Sequence, residues 1–131
     1  MRLMDVRIPW EPASFVEDSD RRNVYFELRD ASVRAYLQHQ EQALSAEGWG
    51  QVSSCLAKEG LVRCKISLKS LHVYNKDRRA TTTPPRFAGL VCNSLVKLIG
   101  KWQTSDGSAT GLNLQATDVQ VLRVYEPECP F

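Results

Sequence analysis

The chain has 131 residues, of which 43% are hydrophobic and 24% are charged, a composition typical of one globular domain built on one core. It has no run of about 18 apolar residues, the length that a membrane-spanning helix requires, and its first residues lack the apolar segment of a signal peptide. The four cysteines form no CxxC pair. We therefore expect free thiols in an intracellular, reducing compartment rather than a zinc site or a disulfide framework.

The formal net charge of +2 conceals a strong asymmetry along the chain. Between Lys58 and Lys101 there are 10 basic and 2 acidic residues, a net of +8, whereas the rest of the chain has 7 basic and 13 acidic residues, a net of −6. Such segregation of charge within one domain predicts a basic face that meets a polyanion. The alternative is a solvated surface on which the charges mix once the chain folds.

The first part of the chain predicts two strands and a helix. A short apolar alternation over residues 3–8 indicates an edge strand, and apolar and polar residues alternate over 22–29 as in a half-buried strand. Asp30 is a candidate helix N-cap, and apolar residues at helical spacing up to Gly48 predict an amphipathic helix over 31–47. Its solvent-facing side is expected to carry Arg34, Gln38, Glu41 and Gln42.

The basic part of the chain begins with the longest alternation, over residues 61–74, which predicts one long strand. The face of this strand opposite the core would present Arg63, Lys65 and Lys69. The following segment, 75–86, is basic and contains Pro-Pro, which blocks both a helix and a central strand. This composition predicts a flexible hairpin loop.

The last third of the domain also has strand character. Residues 90–102 are predicted to form a strand in which Gly100 marks a bulge or bend. Asp106-Gly107 predicts a turn before two short strands at 112–115 and 119–125. The element order predicts a mainly β fold with one helix, a small curved antiparallel barrel similar to the oligonucleotide-binding (OB) fold. A variant barrel or another bent sheet is the alternative, because the helix follows an early strand.

Motifs for catalysis are absent from the sequence, which has no GxSxG, HExxH or Walker loop. His72 is interpreted as a packed or edge residue of a strand. The acidic run Glu17, Asp18 and Asp20 is interpreted as a solvated turn, because a two-metal site draws its carboxylates from different elements. We therefore expect a protein that is not an enzyme and that has no metal or other cofactor.

Aromatic residues beside the basic segment supply flat rings, which together with cations are what a site for single-stranded nucleic acid requires. Tyr74 opens the basic loop, Phe87 closes it, and Trp102 ends the next strand. Charged and Pro-rich neighbours favour exposure of Tyr74 and Phe87. Trp10 and Trp49 are further rings in loop-like contexts. The candidate nucleic-acid-binding residues are Arg63, Lys65, Lys69, Tyr74, Lys76, Arg78, Arg79, Arg86, Phe87, Lys97, Lys101 and Trp102.

The end of the sequence, YEPECPF, follows the predicted domain at 1–125 and places two glutamates before Pro-Phe. An exposed aromatic in an acidic context is a ligand for an apolar pocket rimmed by basic residues. This segment resembles the acidic, Phe-terminated tip of bacterial and some phage single-stranded-DNA-binding proteins, which recruits replication and repair partners. The alternative is that Phe131 packs on the domain. The resemblance implies a partner-binding tail at 126–131 formed by Glu126, Glu128, Pro130 and Phe131.

Three segments, KISLKSLHVYN, LVCNSLVKLIGKWQ and GLNLQATDVQVL, resemble small viral and phage single-stranded-DNA-binding proteins with an OB fold. The resemblance covers residues 60–125. It implies non-sequence-specific coating of single-stranded DNA during replication or recombination. The free thiols and the lack of a long apolar run predict the cytoplasm or nucleus of a host cell and no membrane partner. RNA binding by the same face, a protein-interaction or assembly module, and self-association through edge strands remain open. The matching positions are Gly100, Trp102, Gly111, Leu112, Leu114 and residues 119–122.

Overall fold

The fold is described by a computed structural model, which covers residues 1–14, 20–48, 50–56 and 60–124. Within these ranges the chain forms one helix and eight strands, so the prediction of a mainly β fold with one helix is confirmed. In chain order the elements are β1 (Arg2–Arg7), β2 (Arg21–Glu27), α1 (Ala31–Ala46), β3 (Gln51–Val52), β4 (Leu61–Ser67), β5 (His72–Tyr74), β6 (Ala80–Thr81), β7 (Leu90–Gln103) and β8 (Ala109–Val124).

One sheet contains all of these strands, and β8 is its central element. The main order is β1-β7-β8-β4-β2, while β3 and β5 also pair with β8 and β6 pairs with β5. The predicted antiparallel sense is found in β1-β7, β2-β4, β5-β6 and β7-β8. In contrast, β3, β4 and β5 each run parallel to β8. Alternation in a sequence defines which face of a strand is buried, but not the direction of its neighbour.

The sheet is strongly bent and is not closed by hydrogen bonds within the described ranges. Its two outer strands, β1 and β2, meet through an ion pair in which Arg7 Nη2 lies 2.6 Å from Glu27 Oε1. The bend follows from irregularities in the β7-β8 register, one of which lies at Gly100 with a φ of 140°. The predicted bulge at Gly100 is therefore confirmed, and the architecture is OB-like.

The two short final strands predicted from the sequence are one continuous strand, β8. At the predicted gap, Asp118 pairs with His72 of β5 on one side and with Leu95 of β7 on the other, so the backbone ladder continues. The side-chain alternation is interrupted there, because Ala116 and Val119 both point into the core. A register shift in the β7-β8 pair accommodates this change of face.

The long alternation predicted as one strand is divided into β4 and β5 by a turn. Asp20 holds this turn, because its carboxylate accepts hydrogen bonds from the Ser67 hydroxyl and, at 2.7 Å, from the backbone N–H of Lys69. Its carbonyl oxygen also accepts the N–H of Leu68 at 3.0 Å. The bond from Ser67 is the main cause that lowers the pKa of Asp20 below 3.8. Lys69 therefore lies in the turn and not on the strand face predicted for it.

The helix α1 begins as the sequence predicts. The carboxylate of Asp30 accepts the N–H of Ser32 at 2.9 Å and that of Val33 at 3.4 Å, and these bonds satisfy two donors of the first turn. The helix ends just before Gly48, whose φ of 73° lies in the left-handed region. Leu37, which is fully buried, belongs to the helix face that packs on the core.

Glu41 corrects the prediction of a purely polar outer side for α1. It is only 8% exposed, and its carboxylate accepts hydrogen bonds from Ser54 Oγ at 2.6 Å and from the N–H of Cys55 at 3.1 Å. The two donors come from the segment between β3 and β4. The hydrogen bonds of Glu41 therefore link the helix to this segment of the sheet. This arrangement was not predictable from periodicity, because Glu41 occupies a position next to the apolar stripe and its donors are distant in sequence.

The core lies between the inner face of the sheet and α1. Its fully buried members include Ile8, Phe26, Leu37, Cys92 and Val96. Cys55, Cys64 and Cys92 are free and buried. Burial raises the pKa of Cys55 to about 11 and that of Cys92 to about 12, so these thiols stay protonated. None of the helices in the described ranges has the length and apolarity to cross a membrane.

Candidate nucleic-acid interface

The outward side of β2 and β4 presents a row of polar, basic and aromatic side chains, here called the basic face. The register places Asn23 opposite Lys65 and Tyr25 opposite Arg63, while the residues between them point into the core. Lys65 is exposed and Arg63 is partly buried. Neither forms a salt bridge with another residue of the described ranges, so both charges are available to an anion.

A groove of about 230 Å³ runs from the basic face to the end of β7. Arg63, Lys65 and Trp102 are among the residues that line it. Residues of β8 contribute the remaining lining, including Asn113. This groove, called the Trp102 groove, is completed by Asn23, Ser53, Cys64, Leu112 and Leu114. It brings cations and an aromatic ring together at one place on the surface.

The ring of Trp102 lies against the backbone of β8. Trp102 pairs with Gly111, and a Cβ atom at Gly111 would lie 2.6 Å from Cε2, 2.6 Å from Nε1 and 2.7 Å from Cζ2 of the indole. Nearly equal distances to three ring atoms show that the ring covers Gly111 with its face. The Thr110 hydroxyl donates to the Trp102 carbonyl oxygen at 2.7 Å and holds the strand end in place. Packing against Gly111 therefore fixes the position of the indole without a bound ligand.

An aromatic pair at the basic face, formed by Trp10 and Tyr25, was not among the candidate nucleic-acid-binding residues. The rings of Trp10 and Tyr25 meet edge to face, with centroids 5.5 Å apart and an interplanar angle of 79°. Trp10 is 48% exposed, and Tyr25 is the cross-strand neighbour of Arg63. Tyr25 could have been found only from the β2-β4 register, because in the sequence it is an ordinary member of an alternating strand. Trp49 lies outside the described residues.

The β5-β6 hairpin carries another part of the predicted site. Its turn is ordered by Asn75, whose side-chain oxygen accepts the N–H of Asp77 at 2.9 Å and that of Arg79 at 3.1 Å. Tyr74 and Arg78 line a second groove of about 370 Å³. The other residues around this groove are Arg2, Met4, Asn93, Ser94, Leu95, Asp118 and Gln120. Tyr74 and Arg78 therefore do not line the Trp102 groove.

Three other predicted site residues have environments that the sequence did not reveal. Phe87 is 6% exposed and belongs to the core, so the prediction of an exposed stacking ring was wrong. Its backbone N–H donates to Glu11 at 2.9 Å, and this bond fixes the end of the loop. Lys101 Nζ lies 2.5 Å from Glu47 Oε2 and is directed toward the helix. Lys97 is exposed and pairs across the sheet with Gln115, which in turn pairs with Lys65.

The remaining predicted cations are distributed around the basic face and the hairpin. Lys69 is exposed in the turn that Asp20 holds. Three more predicted cations lie on or after the β5-β6 hairpin and are also exposed: Lys76, Arg79 and Arg86. The predicted tail residues, Glu126, Glu128, Pro130 and Phe131, lie outside the described residues.

The side chains that line the Trp102 groove are of types that bind anions and planar groups. The described residues contain no group of three or more His, Cys, Asp or Glu side chains placed to hold a metal ion. The cations and rings at the Trp102 groove can neutralise a phosphate and stack a planar heterocycle. These two interactions suit a flexible anionic chain that carries planar groups.

The comparisons with known proteins agree with this architecture. No protein-family model matches the chain, and no curated protein matches it. A solved structure that the fold resembles is the single-stranded DNA-binding protein from bacteriophage Enc34 in complex with ssDNA. The TM-score is 0.62 at 11% sequence identity, and the match covers 98% of this chain and 88% of that chain.

Proposed function

We propose that the protein binds single-stranded DNA without catalysis and with little dependence on sequence. The observation that carries the proposal is the Trp102 groove, where a seated indole faces the unpaired charges of Arg63 and Lys65. The similarity of the fold to a phage protein whose structure contains ssDNA supports the same ligand class. Single-stranded DNA matches the groove because its bases are free to stack and its phosphates are closely spaced.

In this proposal the cations and the aromatic rings bind different parts of the strand. Arg63 and Lys65 neutralise phosphates, Trp102 stacks one base, and the half-exposed ring of Trp10 beside Tyr25 stacks another. Each base stacked on an aromatic ring contributes about 1–3 kcal/mol of binding free energy. The remaining predicted cations extend the path toward the hairpin and add charge: Lys69, Lys76, Arg78, Arg79, Arg86 and Lys97.

The cellular role is the wider part of the proposal. Coating of single strands would serve replication or recombination inside a host cell, and the segment 126–131 would contact proteins of those processes. The support for this role is the resemblance of that segment to partner-binding tails and the three free, buried thiols of the domain. RNA binding by the same surface and self-association are the alternatives, and each has its own measurement below.

The experiment is a titration of the purified protein with a 30-nucleotide oligo-dT, followed by tryptophan emission at several salt concentrations. The logarithm of affinity should fall with the logarithm of salt concentration by about 0.7 for each neutralised phosphate. The double variant Arg63→Ala/Lys65→Ala should therefore reduce the slope by about 1.4. The control Arg29→Ala/Arg34→Ala removes the same charge near α1 and should leave the slope unchanged.

Matched ligands separate the possible functions. A duplex of the same length should bind much more weakly than the single strand. Comparison with an RNA of the same sequence shows whether the affinity depends on the sugar. Sedimentation of the free and bound protein reports self-association. A folded protein that does not respond to oligo-dT at low salt, or two double variants that lower the slope equally, would contradict the proposal.

A further inference from the structure

The second groove of the sheet, of about 370 Å³ beside the β5-β6 hairpin, has the composition of a nucleotide-binding site and is here called the Tyr74 groove. Its lining combines the ring-bearing Tyr74, the exposed Met4 and the cations Arg2 and Arg78. Neither arginine forms a salt bridge within the described part of the chain. Asp118 also lines the groove, so two arginines and one aspartate give a charge of +1. Rings and cations together suit a base and its phosphate.

Hydrogen bonds hold the polar side chains of the Tyr74 groove in a fixed arrangement. The N–H of Asp5 donates to Asn93 Oδ1 at 2.8 Å. Asn93 Nδ2 donates in turn to Gln120 Oε1 at 3.0 Å, and Gln120 Nε2 donates to the carbonyl oxygen of Lys76 at 3.0 Å. This chain of bonds connects β1, β7, β8 and the turn of the hairpin. The groove therefore has its shape before a ligand binds, which lowers the entropic cost of binding.

Unusual backbone conformations also occur at this groove. Asp5 and Arg78, with φ of 52° and 66°, are the only residues other than glycine that have a positive φ in the described ranges. Arg78 lines the groove, and Asp5 directly follows Met4, which lines it too. A positive φ is routine for Gly, Asn and Asp, but it is strained for arginine because of the Cβ atom. Strain of this kind is typical of residues whose side chains bind ligands.

The outward side of β8 connects the two grooves. Asn113 of this strand lines the Trp102 groove, and Gln120 lines the Tyr74 groove. Between them the partly exposed Gln115 has Lys65 as its neighbour on β4 and Lys97 as its neighbour on β7, so two cations flank the path. The seven steps from Asn113 to Gln120 cover about 23 Å at about 3.3 Å per residue. One flexible anionic strand can therefore reach both grooves.

We propose that the Tyr74 groove is a second subsite for the same single strand of DNA, which runs along the outward side of β8 from the Trp102 groove. This inference rests on the proposed function and adds the course of the strand to it. One base packs against Tyr74 and Met4, while Arg2 and Arg78 neutralise a neighbouring phosphate. The strand that joins the two subsites makes the second binding step intramolecular, so a strand that reaches both binds more tightly.

The test compares oligo-dT strands of 4 and 12 nucleotides, whose binding at the Trp102 groove is followed by tryptophan emission at low salt. A stacked strand rises about 3.4 Å per nucleotide, so the shorter strand covers about 10 Å and the longer about 37 Å. Only the longer strand then spans both grooves. Tyr74→Ala should weaken binding of the 12-nucleotide strand by about 5-fold to 150-fold. The affinity for the 4-nucleotide strand should stay within about twofold of the wild type.

The variant Arg78→Gly separates binding from folding. Glycine adopts a positive φ without strain, so the urea midpoint should not fall. The salt slope for the 12-nucleotide strand should nevertheless decrease by about 0.7, because one phosphate contact is lost. Asp118→Asn removes the acid of the groove and should strengthen binding of this strand by about twofold to fivefold. The control Arg29→Ala removes an exposed charge near α1 and should leave the slope unchanged.

The outcomes for the two strand lengths decide between the hypotheses. If Tyr74→Ala and Arg78→Gly weaken neither strand, or weaken both strands equally, the Tyr74 groove does not bind the strand and the inference is overturned. If circular dichroism shows that Arg78→Gly is misfolded, Arg78→Asn replaces it, since asparagine also tolerates a positive φ. A wild-type protein that binds neither strand at low salt would instead refute the proposed function.

Discussion

The contact between Gly111 and the Trp102 indole leads to a sharp prediction for Gly111→Ala. The φ of Gly111 does not lie in the left-handed region, so alanine meets no backbone strain there. The new Cβ would instead lie 2.6 Å from two atoms of the ring, whereas ordinary contacts begin at 3.4 Å. The indole would therefore have to retreat by about 0.8 Å or leave its seat.

The expected magnitudes follow from this clash. Forcing an extra methyl group into a closely packed site costs about 1–3 kcal/mol of folding free energy. Displacement of the ring also removes one stacking platform, and the binding free energy falls by about 1–3 kcal/mol, or about 5-fold to 150-fold in affinity. The two losses are measured separately, by urea unfolding and by anisotropy of a labelled oligo-dT.

A double-mutant cycle with Trp102→Ala tests the reasoning. When the indole is absent, the methyl group of Gly111→Ala has nothing to displace, so its effect on affinity in that background should fall below about 0.5 kcal/mol. If Gly111→Ala weakens binding equally with and without the indole, the clash is not the cause, and the seated ring would lose its role in the site.

Three further predictions concern stability and reactivity. Glu41→Ala should lower the free energy of unfolding by about 1–3 kcal/mol, because two donors lose their acceptor. The control Gln42→Ala, at an exposed position, should change it by less than about 0.5 kcal/mol. Equal urea midpoints for Glu41→Ala and the wild type would show that the Glu41 hydrogen bonds do not stabilise the fold. Hydrogen bonds from the Ser108 N–H and neighbouring hydroxyls lower the pKa of Asp106 to about 2, so its stabilisation exists above pH 3.8 and is lost as pH falls through about 2. The difference in urea midpoint between the wild type and Asp106→Asn should therefore become smaller as the pH falls from 3.8 to about 2. A difference that does not change with pH would show that protonation of Asp106 is not coupled to folding. A thiol reagent at about pH 8 should modify at most Cys129 in the native protein and all 4 cysteines after unfolding, and reaction of two or more in the native state would show that the core opens.

Local signals in the sequence were sufficient for the elements with a simple pattern. Asp30 and Gly48 bound the helix because capping and left-handed backbone conformations are properties of single residues. The strand ending at Trp102 was predicted nearly to its observed bounds, including the bulge at Gly100. The break after Ser67 was not predicted, because it depends on Asp20, which is distant in sequence.

The candidate site was predictable in composition but not in its arrangement. Arg63 and Lys65 lie on the outward face as their alternation predicts. Phe87 packs in the apolar core, although the charged and Pro-rich segment before it favoured exposure. Lys101 is drawn to the helix by Glu47, which only the tertiary structure brings near.

The position of β8 has a consequence for how the chain folds during synthesis. This strand is the last in the described sequence, yet β3, β4, β5 and β7 all pair with it. The earlier strands therefore leave the ribosome before their main hydrogen-bonding partner exists, and only the β2-β4 and β5-β6 ladders and the β1-β7 ladder can form without it. Folding dominated by such late, long-range pairing is slow. The nascent chain would expose its strand edges until β8 has left the ribosome, and this interval is the period in which it is most prone to aggregation.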